Sequence, residues 1–210
     1  MDRWQMTPAF GIAWDVARDR RLPHGDHIEM SGLRVAAILF YGVDTDGCLS
    51  LNRRLVWPGL RVQPNDTHSS LRHDFALDAS PRIAAGGRPL PPETPRRVTI
   101  DGTLRIESTT AAGIELVRTL FPSAEHPVLV ERWTLRNATD RAQTLEIEPL
   151  RRADYVRGTE SLHVIEASSD APTRVCLEPG GTCGFSLTFG ARRLDHAAVV
   201  DFRNEFLARN

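Results

Sequence analysis

Four polar residues crowd the stretch His24-Gly25-Asp26-His27-Ile28-Glu29. Imidazoles and carboxylates this close could ligate zinc or manganese, or hydrogen-bond the hydroxyls of a sugar. Spacing narrows the choice. In an extended chain His24 and Asp26 share one face, while His27 and Glu29 share the other. A metal would then find only two ligands on either face and would have to recruit from elsewhere. The helical i, i+4 pair of the HExxH zinc motif is absent. The block therefore reads as a structural or rim element without a metal, and sugar contact is its functional alternative.

Paired carboxylates can also run glycoside hydrolysis, at roughly 5 Å for retention or about 6.5 to 9.5 Å for inversion. Asp26, Glu29 and Asp66 are the candidates near this block. Pairing with Arg34, Arg54 or Arg61 competes with that role, because charged surface residues are usually solvated or ion-paired. Trp57, just before Pro58-Gly59, could stack on a sugar ring, or could be a core tryptophan at a strand end. Arg61 and Asn65 follow it on an expected loop, where binding residues concentrate. The substrate-contact set is thus His24, Asp26, Glu29, Trp57, Arg61 and Asn65.

Several chemistries find no residues to carry them. All 26 basic residues are arginine, which removes any catalytic lysine. There is no phosphate-cradling glycine loop, no GxSxG elbow and no CxxC pair, so no cofactor is expected. Cys48, Cys176 and Cys183 form neither an even disulfide framework nor a zinc ligand set. They read as thiols in a reducing compartment. A formal net charge of -1 offers no field for nucleic acid or anionic lipid. No apolar run reaches the roughly 18 residues of a membrane span, and the first residues do not read as a secretory signal. A cytoplasmic location is the expectation.

The elements that must position these residues are strands. At 210 residues, 41% hydrophobic and 25% charged, the chain is long enough for one full core. Residues 33–41 are apolar on both faces, as in a central strand. Asp46-Gly47 turns the chain into a returning strand, 48–57, which Pro58-Gly59 should stop. A short run follows at 71–77. The proline-rich segment 80–95 reads as a surface loop. Asp101-Gly102 joins strands at 97–100 and 103–108. Further strands are expected at 114–121, 128–136, 143–149, 161–167, 173–177 and 182–189. The 128–136 strand is expected to form a hairpin with 143–149 across Asn137-Ala-Thr-Asp140. Many short strands at even spacing predict an all-β, large antiparallel β-sandwich. Asp195 can cap a helix over 196–208. The division expected is a sandwich over 1–194 and a helical linker over 195–210, leading towards a further domain.

Certain segments together resemble a known group: 22–32 (LPHGDHIEMSG), 54–61 (RLVWPGLR), 64–67 (PNDT), 130–137 (VERWTLRN), 177–181 (LEPGG) and 203–207 (RNEFL). They are similar to the N-terminal β-sandwich that precedes an (α/α)6 barrel in six-hairpin glycoside hydrolases, a group that includes debranching-type and rhamnosidase-like enzymes. The resemblance spans the whole chain, and 24–32 is its most specific part. It implies an accessory domain whose catalytic carboxylates lie on a barrel partner, in cis or in trans. The loops 23–32 and 58–67 would line one wall of a carbohydrate pocket. Two other readings are a free-standing carbohydrate-binding module and an oligomerising domain whose docking face is covered by a second copy.

Overall fold

The computed structural model describes residues 3–8 and 10–194. The helix expected over 196–208 lies outside the described residues. Everything described apart from one short 3-10 turn, Val16–Arg18, is strand, turn or loop. Strands β1 (Trp4–Met6) and β2 (Ile12–Asp15) form an N-terminal hairpin. A meander follows of β3 (His24–Ser31), β4 (Ala36–Val43), β5 (Leu49–Arg61) and β6 (Ser70–Ala76). The short β7 (Arg82–Ala85) and β8 (Arg88–Pro89) come next. Then come β9 (Thr94–Ile100), β10 (Leu104–Thr109), β11 (Ile114–Pro122) and β12 (Val128–Asn137). The chain continues through β13 (Gln143–Glu148), β14 (Arg151–Arg157), β15 (Leu162–Ser169), β16 (Arg174–Leu177) and β17 (Thr182–Arg193).

These strands build the expected antiparallel sandwich. One layer is a nine-stranded sheet in the order β1-β2-β9-β10-β11-β12-β17-β15-β14. The other is made of two four-stranded sheets, β3-β4-β5-β6 and β16-β13-β7-β8. Alternation sets the interface between layers, as period-two strands require. Leu51, Leu55 and Trp57 of β5 face inward, as do Leu116 and Leu120 of β11 and Leu129, Trp133 and Leu135 of β12. A single cluster of buried apolar residues joins all three sheets. The layers meet, for example, where Phe75 packs on Phe189 with ring centroids 4.9 Å apart.

Four sequence expectations are corrected. Pro58-Gly59 does not stop β5; the strand absorbs them in a register shift between Trp57 and Arg61 and runs on. Segment 80–95 is more than a surface connection, because it carries β7 and β8 and pairs with β13. Segment 24–31 is a regular edge strand rather than a loop. Finally, β12 and β13 are not a hairpin. Both edges of β12 are occupied, by β11 and β17. Buried Asn137 exchanges backbone hydrogen bonds with Gly180 and Gly181, and its Nδ2 donates to the carbonyls of Arg141 and Leu177. Those bonds turn the chain away into the smaller sheet.

Candidate functional site

The candidate residues fall in two places. His24 and Asp26 are half-buried on the inner face of β3, and His27 and Glu29 are exposed on its outer face, as the alternation requires. The His24 ring lies edge-on to Trp14 at 5.3 Å. The Asp26 carboxylate accepts from the backbone N–H of His27 at 2.8 Å. Behind it the Tyr41 hydroxyl is pushed well up, by burial first and by the Asp26 charge second. On the outer face, His27 packs on Phe40 at 5.7 Å, and the Arg54 guanidinium covers the same ring at 5.5 Å. Arg54 is held by Asp74 through two hydrogen bonds. Glu29 lies two residues beyond His27 on this face, opposite Ile38 and in the row of Arg54.

Arg61 and Asn65 sit at the far end of the sheet. His24 pairs with Val43 beside the start of β5, whereas Arg61 closes that strand. With a rise of about 3.3 Å per residue, the two ends of β3 alone are roughly 23 Å apart. Arg61 donates to the Asp66 carbonyl at 2.8 Å and bridges its own loop. Its carbonyl accepts from the Ser161 hydroxyl at 3.3 Å. Asn65 is exposed, with φ 59° at the loop tip, a conformation asparagine tolerates. Trp57 is fully buried and its indole N–H donates to the Pro127 carbonyl at 2.8 Å. It presents no face to a sugar, so as a stacking platform it is corrected to a core residue. Among the described residues, no group of three or more His, Cys, Asp or Glu is placed to hold a metal ion. Nor is any described helix long and apolar enough to cross a membrane.

The densest polar constellation is one that sequence reasoning missed. Glu131 of β12 is fully buried between Arg53 of β5 and Arg118 of β11. Arg53 Nε donates to one carboxylate oxygen at 2.6 Å, and Arg118 donates to the other at 2.9 Å. Arg118 also forks onto Glu93 just before β9. Its guanidinium lies 3.6 Å from the Trp133 ring centroid, and the Trp133 indole N–H donates to Glu131 at 2.9 Å. Burial by itself would raise the Glu131 carboxyl, but the two guanidinium groups outweigh it and hold the acid below its usual range. Two cations and two anions therefore balance inside the core. A readable signal did exist: in three strands a charged residue stands at an inward position between apolar ones, Leu51-x-Arg53-x-Leu55, Leu116-x-Arg118-x-Leu120 and Leu129-x-Glu131-x-Trp133.

No protein-family model matches this chain, and no curated protein matches it at a significant level.

Proposed function

We propose that the chain is the non-catalytic β-sandwich domain of a glycoside hydrolase, seated against an (α/α)6-barrel partner in cis or in trans. The observation that carries this reading is the apolar character of one end of the sandwich. Strand registers gather the β1–β2, β3–β4, β5–β6, β9–β10, β11–β12 and β14–β15 connections at that end. There Phe10 is 94% exposed, Leu33 79% and Met6 71%. Large apolar groups left in water favour a partner that covers them, by about 25 cal/mol per Å² removed from solvent. Phe10 is held at φ 61°, a left-handed conformation that costs a non-glycine residue about 1–2 kcal/mol. Arg61 and Asn65 project from the same end and would form the rim beside the partner's pocket. Leu194 also lies there, its backbone N–H donating to the Leu162 carbonyl.

Sugar contact has separate support on the outer face of β3–β6. Phe40, flanked by His27 and Arg54 with Glu29 nearby, offers an exposed ring edge with donors and acceptors around it.

The test is the state of the native polypeptide. It should run as an assembly several times heavier than 23.4 kDa and hydrolyse an α-glucan or a rhamnoside, while the 210-residue chain alone should be inactive. Phe10→Ser with Leu33→Ser should leave the melting temperature of the isolated chain unchanged and weaken the assembly. A lone 23.4 kDa species with no hydrolase in its company overturns the reading. A concentration-dependent dimer would replace the barrel by a second copy.

A further inference from the structure

The two four-stranded sheets do not join along an edge. Between the β4–β5 hairpin of one and β7, β8 and β13 of the other lies a cleft of about 890 Å³. It lies by the start of β5, away from the loop-bearing end, and stands independently of the reading above. The nine-stranded sheet supplies its floor through Leu116, Arg118 and Trp133. Pro81, Pro89, Pro91 and Pro92 line one wall, so the segment expected to be a bare connection brings four backbone positions of fixed φ to the site. A mainly apolar cleft of this size, within roughly 300–1,000 Å³, suits a small organic molecule.

Its polar groups define what that molecule must carry. Five acidic residues and two arginines contribute to the lining, with Arg82, Glu146 and Glu148 on the exposed faces of their strands at its outer rim. Both guanidinium groups are already engaged, Arg118 by Glu93 and Glu131 and Arg82 by Glu148. The surplus is Asp44, Asp46 and Glu146. Asp44 is tied to the hairpin, accepting from the backbone N–H groups of Asp46 and Cys48. Asp46 and Glu146 have no ion-pair partner among the described residues. Ser80 adds a hydroxyl oxygen shielded from water and without a hydrogen-bond partner. The thiol of Cys48, also in the lining, is pushed up by burial first and then by Asp44 and Asp46, which reports the same negative field.

We propose that this cleft binds a small molecule with an apolar body and a cationic, amine-type head. The body lies along the proline wall and Leu116, and the head lies beside the Asp44–Asp46 hairpin. An anionic head is disfavoured twice. It would meet the surplus carboxylates, and it could reach Arg118 only by displacing Glu93.

Cys48 gives a local readout. Its alkylation by iodoacetamide is followed by peptide mass spectrometry in the presence of hexylamine, hexanol or hexanoate, with the exposed Cys176 as internal control. Hexylamine should slow Cys48 several-fold at saturation without changing Cys176. It should bind roughly fivefold tighter than hexanol, the size of effect that exposed carboxylates have on a nearby cation. Hexanoate should bind weakest. Asp46→Asn, at an exposed turn position, should reduce the preference for amine over alcohol while the fold persists. Equal protection by all three probes, strongest protection by hexanoate, or no protection of Cys48 by any of them would overturn the proposal.

Discussion

Glu131 is the residue on which the two layers agree. Its partners arrive from different sheets, Arg53 from β5 and Arg118 from the neighbouring β11, so one carboxylate fixes the lateral position of the sandwich. Desolvating these charges is costly, and the array is tolerable only because almost every donor finds an oxygen. One exception remains: Arg53 Nη2 is buried without a hydrogen-bond partner, and the guanidinium lies 5.0 Å from the Phe189 ring centroid. Replacing Glu131 by Gln keeps the shape and removes the charge that balances two guanidinium groups. The expected loss is about 3–5 kcal/mol of unfolding free energy, read from urea midpoints at neutral pH. The acid limb of stability follows from the same residue. Its folded pKa lies below its ordinary value of 4.5, so its contribution is complete above that value and is lost as the pH falls through the lower folded one. Glu131→Gln should therefore also flatten that acid limb. An unchanged midpoint and slope would mean the array contributes nothing net.

At the scale of elements, the strands were legible and their partners were not. Alternation and turn chemistry located β4, β9 to β12 and β15 to β17 nearly in place, because period-two burial and Asp-Gly turns are local signals. Pairing is not local. The sequence around Asn137 offers a good hairpin turn, yet the side-chain and backbone bonds of Asn137 reach a turn some forty residues on. The edge strands β1 and β14 were missed because neither has a fully buried residue, and β2 because its four residues are too few to show alternation. Of the candidate site, the two faces of β3 were readable from spacing alone, whereas the cleft depends on how the proline-rich segment folds back on β13 and left no local trace. The edge position of β3 is testable at a glycine. A Cβ on Gly42 would run into the His24 carbonyl oxygen and come within 2.7 Å of Gly25 Cα, both backbone atoms of β3. One on Gly25 would meet nothing nearer than the Tyr41 carbonyl at 3.9 Å. Gly42→Ala should thus cost about 1–3 kcal/mol and speed amide exchange across 24–31, while Gly25→Ala should do neither. Equal exchange in the two variants would show that β3 yields freely.

The whole molecule closes along a seam where β6, the edge of one layer, faces β14, the edge of the other. Histidines mark that region. On β6, His73 packs on Phe75 at 4.5 Å, with its Nε2 shielded, unpartnered at hydrogen-bond range and 3.6 Å from an Asp154 oxygen on β14. Burial is the largest influence on it and lowers its pKa; Asp154 and Asp74 pull the other way and Arg152 adds to the lowering, leaving a net decrease. On β15, His163 is buried beside Arg193 of β17, and burial followed by that charge also lowers it. Both imidazoles are therefore disfavoured as cations in the folded chain relative to the unfolded one. The unfolded state takes up more protons below the ordinary value of 6.5, so stability is full above that value and declines as the pH drops towards the lower folded values. Urea midpoints taken from about pH 7.5 to about pH 5.5 should fall steadily, well before the carboxylates titrate. His163→Leu and His73→Leu should each reduce the slope, since each removes one imidazole whose charged form the fold disfavours. A flat profile in the parent chain, or an unaltered slope in both variants, would place the acid sensitivity of the sandwich elsewhere.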